Sequence, residues 1–141
     1  MTAKSVNYLL ILLTIVIFTS VVVIRVAYSP LNLPSVVGIL LAVPSALLLV
    51  VARYQLGGSF SLTPQAKELV TRGLYSKIRH PIYVFGLVAL LGLALMLESV
   101  NWIAVWAILL VLQLRRSRAE EKVLEAKFGE EWREYKKGTW F

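Results

Sequence analysis

The chain of 141 residues is 58% hydrophobic and only 16% charged, with 15 basic residues against 8 acidic ones and a net charge of +7. A soluble domain of this length needs more polar surface, and one domain's worth of residues leaves no room for a separate soluble catalytic module. Cysteine and aspartate are absent and histidine occurs once, which excludes disulfides, thiolate metal sites, cysteine nucleophiles, a His-rich metal centre and a Ser-His-Asp triad within one chain.

The first apolar run, Val6–Ile24, is too long for the core of a signal peptide and lacks a small-residue cleavage site, so it reads as a retained anchor. Ser29-Pro30-Leu31-Asn32-Leu33-Pro34 breaks the chain before a second run, Leu33–Val51. Both runs satisfy the requirement of about 20 residues for a spanning helix. Pro44 is expected to kink the second helix, which membrane helices tolerate. Tyr54 through Ser61, with Gly57-Gly58, reads as an interfacial turn. A lone Gly-Gly without the Lys-Ser/Thr spacing is no phosphate loop.

Two shorter runs, Ile82–Leu97 and Trp102–Leu114, flank Glu98-Ser99-Val100-Asn101 and predict a short hairpin. From Arg115 to Lys137 the tail predicts an amphipathic helix, with Leu124, Phe128 and Trp132 at i, i+4 and i+8 and Tyr135 one turn on. Extended backward, that stripe reaches Glu120 and Glu121, so both carboxylates can share its inward face. Gly129 marks a place where the helix can divide.

Lys4 precedes the first span; Arg53, Lys67, Arg72, Lys77 and Arg79 lie between the second and third; eight basic residues run from Arg115 to Lys137. The other two connections carry only Arg25, near a helix end where it can snorkel. Four spans with both termini cytoplasmic satisfy the positive-inside rule. The positive charge is thus accounted for by membrane topology, with membrane lipids rather than nucleic acid as the expected surroundings. The expected fold is an all-α integral membrane protein: about four transmembrane helices, the last two a short hairpin, plus a cytoplasmic amphipathic C-terminal helix. It forms one membrane domain over 1–141, in which 1–53 holds two N-terminal spans and 54–141 the motif region.

The chemistry concentrates in two clusters, Arg79-His80-Pro81-Ile82-Tyr83 and Arg118-Ala119-Glu120-Glu121, which the hairpin returns to one face of the bilayer. Pro81 suits the first turn of a helix. His80 then takes the cap position at the positive end of the helix dipole, where an anionic group binds well and Arg79 adds a bidentate partner. A plain interfacial histidine and a topology-setting arginine are equally compatible with these residues. Glu120 and Glu121 can pair with the neighbouring Arg115, Arg116, Arg118 and Lys122, or face a sulfonium or ammonium beside Tyr75, Tyr83 or Trp132. Tyr54, Tyr75 and Tyr83 also suit an interfacial belt, as do Trp102, Trp106 and Trp140, which are read that way.

Leu69-Val70-Thr71-Arg72-Gly73-Leu74-Tyr75, Arg79-His80-Pro81-Ile82-Tyr83, Arg118-Ala119-Glu120-Glu121-Lys122-Val123-Leu124 and Phe128-Gly129-Glu130-Glu131-Trp132-Arg133-Glu134-Tyr135 occur in that order. Together they resemble the isoprenylcysteine carboxyl methyltransferase family and its phospholipid-methyltransferase relatives, from about Tyr54 onward. Leu74 stands where a proline is common, and Trp132 where tyrosine is frequent. The resemblance implies a membrane methyltransferase using S-adenosylmethionine at the cytoplasmic face. His80, Pro81, Tyr83 and Glu120 or Glu121 would hold the cofactor, with Tyr75 beside it and the backbone of Val84–Leu87 lining the pocket. It further implies a lipid or prenylated acceptor entering from the bilayer. For carboxyl O-methylation, the leading expectation, Arg79 or Arg118 would orient the acceptor. For phospholipid N-methylation, the alternative, Glu120, Glu121 or His80 would take the proton. Lipid reduction and transport are the rival readings. A dinucleotide fingerprint and an acidic residue deep within a span, their respective signatures, are both missing from the sequence.

Overall fold

The computed structural model describes residues 3–57 and 69–141. Its helices follow in the order α1 (Ala3–Tyr28), α2 (Leu33–Leu56), α3 (Pro81–Met96), α4 (Val100–Phe128) and α5 (Glu130–Lys137), with a 3-10 turn at Gly73–Ser76 ahead of α3. Among the described residues no strand forms, and one isolated parallel bridge joins Ile78 to Trp140. Lys67 and residues 58–61 of the expected interfacial turn lie outside the described residues, as does the side chain of Lys4.

Among the described residues three helices, α1, α2 and α4, are long and apolar enough to cross a membrane, where the sequence predicts about four. The 16 residues of α3 extend about 24 Å at 1.5 Å per residue, short of a hydrocarbon core of about 30 Å. The fourth segment, expected to be equally short, is instead a helix of 29 residues that absorbs most of the predicted tail. No glycine or proline stands between Ser99 and Gly129, and the Arg, Glu, Lys, Leu and Ala of that junction are strong helix formers. The helix therefore runs out of its apolar half without a break and stops only at Gly129, whose φ of +52° suits a residue lacking Cβ.

The bundle is held mainly between α2 and α3, with α1 packed on α2 and α4 on α3. Ala42, Leu93 and Met96 form the buried centre, and Phe18, Val21, Val22 and Ile39 pack around it. Lipid tails are as apolar as leucine, so close packing and buried hydrogen bonds replace the hydrophobic effect as the glue. Most of the large apolar side chains of α1 and α4 face outward, as a lipid-facing surface requires.

The far end of the bundle is tied by Arg25, which was expected to snorkel. Its Nε donates to Met96 O at 2.9 Å, Nη1 to Pro30 O at 3.2 Å, and Nη2 both to Ser35 Oγ at 2.6 Å and to the Glu98 carboxylate. Asn32 caps α2 by accepting the Ser35 N–H at 3.0 Å. Hydrogen bonds from Asn32 and then Arg25 hold the Glu98 carboxyl below its ordinary range. The α1–α2 and α3–α4 junctions thus meet on one guanidinium. At the opposite end, Asn7 Nδ2 of α1 donates to Arg53 O of α2 at 2.8 Å, so these helices run antiparallel.

Candidate functional site

The site forms where the chain re-enters the bundle before α3. Gln55, at the end of α2, accepts the Leu74 N–H at 2.8 Å. Gly73 lies so close to the Gln55 amide that an added Cβ would stand 2.4 Å from it, and its φ is +60°. Tyr75 is buried in the turn that follows. Lys77–His80 then pairs with the last residues of the chain: Trp140 N donates to Lys77 O at 3.0 Å, Arg79 N to Trp140 O at 3.2 Å and His80 N to Phe141 O at 3.1 Å. His80 caps α3 with its backbone, its carbonyl accepting from Tyr83 N and Val84 N at 3.0 and 3.1 Å, and Pro81 takes the first helical position.

This leaves the His80 ring available. It is buried, stacks on the Tyr83 ring at 5.4 Å with the planes 16° apart, and meets the edge of Phe141 at 6.0 Å. Two carboxylates arrive from α4, and they are used differently. Glu120 Oε2 accepts the Tyr83 hydroxyl at 2.7 Å. Glu121 gathers cations and the imidazole: Oε1 accepts from Arg79 Nε at 3.1 Å and lies 3.3 Å from His80 Nε2, while Oε2 accepts from Lys136 Nζ at 2.8 Å. Arg79 also donates to Thr139 O at 3.0 Å. From α5, the Tyr135 hydroxyl donates to Tyr75 O.

Of the residues singled out in the sequence, His80, Arg79, Tyr83, Glu120 and Glu121 meet within one cluster. Pro81 starts the helix beneath them, and Tyr75 stands behind, its carbonyl tied to the Tyr135 hydroxyl of α5. Arg118 is not drawn in; it is exposed on α4. Arg116, two residues earlier and so on a different face of α4, stands over the Tyr83 ring at 5.9 Å. Sequence reasoning passed over it as a site residue, together with Lys136 and Phe141. Arg116 lies four residues before Glu120 and so on the same helical face, which was the available signal; nothing in the sequence points to Phe141. Trp106, read as a belt residue, instead donates its indole N–H to Leu87 O across α3 and α4 at 2.8 Å.

Burial lowers the His80 pKa from its ordinary value of 6.5, outweighing the pull of Glu120 and Glu121 in the other direction, with Arg79 adding to the lowering. The ring is therefore neutral at pH 7. An ionised carboxylate only accepts, so Nε2 carries the proton toward Glu121 and Nδ1 is the basic nitrogen. Burial, and then the charge of Glu120, raises the Tyr75 phenol, and burial pushes Tyr135 up to about 12, so both stay protonated.

A folded-state pKa below the unfolded one means that the unfolded chain binds more protons as pH falls. The contribution of His80 is complete above about 6.5 and is lost as pH drops below it toward the lowered folded value. The loss of melting temperature between pH 7.5 and 5.5 is accordingly expected to be smaller in His80→Gln than in the wild type. Equal losses would place His80 in water.

The described residues thus form a helical bundle of membrane-protein type, rich in outward-facing apolar surface, with a carboxylate–aromatic–guanidinium cluster where its shortest apolar helix begins. The phospholipid methyltransferase family model matches residues 33–131, and the chain belongs to that family. It is also similar to the nickel-cobalt-cadmium resistance protein NccN of Alcaligenes xylosoxydans xylosoxydans, at 39% identity over 67 residues. That alignment covers 47% of this chain and 32% of NccN, so the chain matches about a third of that curated relative. No solved structure matches the chain.

Proposed function

We propose that the chain is an S-adenosylmethionine-dependent methyltransferase that modifies a lipid-like acceptor at the cytoplasmic membrane face. The observation that supports this most is the meeting of His80, Tyr83, Glu120 and Glu121 at the start of α3. Membership of the methyltransferase family gives that cluster its chemical context.

The donor set fits such a cofactor. A sulfonium bearing an α-amino and an α-carboxylate group needs acidic, aromatic and cationic partners together, and this cluster supplies all three. Glu120 and the Tyr83 face would take the cationic part, and Arg79 the carboxylate. Glu121 already receives two cations and an imidazole, so it is better placed to organise Arg79 and His80 than to meet a ligand's positive charge. The bound group supplies a methyl already activated on sulfur, leaving the protein to align, desolvate and orient.

Carboxyl O-methylation of a prenylcysteine-type acceptor is the leading reaction. It requires no base, only a cation to orient the acceptor carboxylate. Arg116, half-buried over Tyr83, suits that role better than the exposed Arg118. Phospholipid N-methylation, the alternative, requires removal of a proton, for which Glu120 and the Nδ1 of neutral His80 are at hand. The similarity to a nickel-cobalt-cadmium resistance protein adds no metal to this reading. The described residues include no group of three or more side chains placed to ligate one.

Calorimetry of S-adenosylmethionine and its demethylated product on the protein in lipid nanodiscs tests the proposal. Wild type is expected to bind at micromolar concentration, and His80→Ala and Tyr83→Ala to bind at least about tenfold more weakly at unchanged helical content. Undiminished affinity in both variants would remove the site assignment, and no binding to the folded wild type would remove the methyltransferase reading. Methyl transfer to prenylcysteine or to phosphatidylethanolamine vesicles then separates the two reactions.

A further inference from the structure

Trp132 is 1% exposed and is the largest fully buried side chain among the described residues. Its indole nitrogen can only donate, yet Nε1 is buried without an acceptor. A buried donor left unmade costs free energy that a phenylalanine of similar shape would avoid, and such groups are uncommon in folded proteins. Packing alone therefore accounts for an aromatic residue here but not for an indole.

The location of Trp132 narrows what the missing acceptor can be. It shares one face of α5 with Tyr135 and Lys136, at i, i+3 and i+4, and its ring lies 5.5 Å from that of Tyr135. Lys136 Nζ reaches into the cluster to Glu121, and the Tyr135 hydroxyl donates to the Tyr75 carbonyl in the turn before α3. This face of α5 is thus applied to the site. Its other face exposes Glu130, Glu131, Arg133, Glu134 and Lys137, so the helix lies on the aqueous side and not among lipid tails. A ligand reaching Trp132 from the cluster is polar and rich in acceptors. The residue also falls just past the family match, which ends at 131.

We propose that Trp132 is a ligand-binding residue whose indole N–H donates to an oxygen or ring-nitrogen acceptor of the bound methyl donor, making α5 a wall of the cofactor site. This inference rests on the methyltransferase reading above. It assigns to α5 a role in holding the cofactor beyond that of covering the cluster.

The experiment compares the affinity of S-adenosylhomocysteine for the wild type, for Trp132→Phe, and for protein carrying 3-benzothienylalanine at position 132. The last replaces N–H by sulfur at nearly constant shape. Melting temperatures without ligand are read alongside. Both changes are expected to weaken binding about fivefold to tenfold, and the benzothienyl protein to melt no lower than wild type, because it loses a donor that had no partner. Should Trp132→Phe fail to fold, the isostere decides alone. Wild-type affinity in the isostere would overturn the assignment of Trp132 while leaving the cofactor reading in place. Absence of binding to the wild type would remove both.

Discussion

Glu121→Gln is expected to destabilise the protein by about 2 kcal/mol or more and to weaken ligand binding with it, whereas Glu125→Gln costs less than about 1 kcal/mol. The two glutamates sit one helical turn apart and differ in what surrounds them. The Glu121 side chain is 20% exposed and receives Arg79, whose own side chain is 15% exposed, together with His80 and Lys136. A carboxylate can accept on both oxygens, but an amide offers one oxygen and turns an N–H₂ group toward a donor. In the variant, either Arg79 and His80 or Lys136 faces another donor, and a mostly buried guanidinium loses its counter-charge. Glu125 pairs with Arg133, and both are about half exposed, so water replaces that contact at little cost. Chemical unfolding of the two variants in the same lipid, with S-adenosylhomocysteine affinity measured on each, separates these outcomes. Similar small losses at both positions would show that Glu121 is a solvated surface charge and that the cluster does not depend on it.

The apolar runs located the helices because hydropathy and breakers are local properties. Asn32 with Pro34, Pro81 and Gly129 all stand at helix boundaries for reasons visible in the residues themselves. Which partners meet was much less legible. Arg25 and Glu98 are separated by 73 residues, and their pairing depends on where the α1–α2 and α3–α4 turns come together. Sequence spacing puts Arg116 on the face of Glu120 and Arg118 on the face of Glu121, and which of the two phases matters is settled only by α3 lying across from α4. Trp106 illustrates the same limit: an aromatic belt is inferred from depth, whereas its hydrogen bond to Leu87 is fixed by the crossing of two helices. The pairing of Lys77–His80 with Trp140 and Phe141 is too short to leave any periodic trace. Reading α4 as two pieces had a different cause. Hydropathy falls sharply at Arg115, but backbone helicity continues wherever no breaker intervenes and the residues favour it.

Gly92→Val is expected to leave little or no folded protein, a loss of about 3 kcal/mol or more, even though Gly92 lies within α3 and touches none of the polar groups of the site. A Cβ at this position would stand 2.5 Å from Gly38 O, 2.6 Å from Ala42 N and 2.8 Å from Ala42 Cβ. The reciprocal Cβ on Gly38 would meet Gly92 O at 2.5 Å. Backbone atoms cannot turn aside as a flexible side chain can, so α2 and α3 would have to separate along the most extensive interface in the bundle. In lipid, little else holds two such helices together, since their association depends on small residues that let backbones approach. Because α3 carries His80 and Tyr83 at its other end, separation would also dismantle the cluster proposed to hold the ligand. Gly86 supplies the control on the same helix: a Cβ there has nothing within 4 Å, so Gly86→Ala is expected to fold normally. Monodisperse yield and thermal unfolding of the two variants read the difference directly. A stable Gly92→Val protein would mean that α2 and α3 stand further apart than this packing requires. If Gly86→Ala were equally damaging, helix flexibility at glycine, and not close approach, would be what α3 needs.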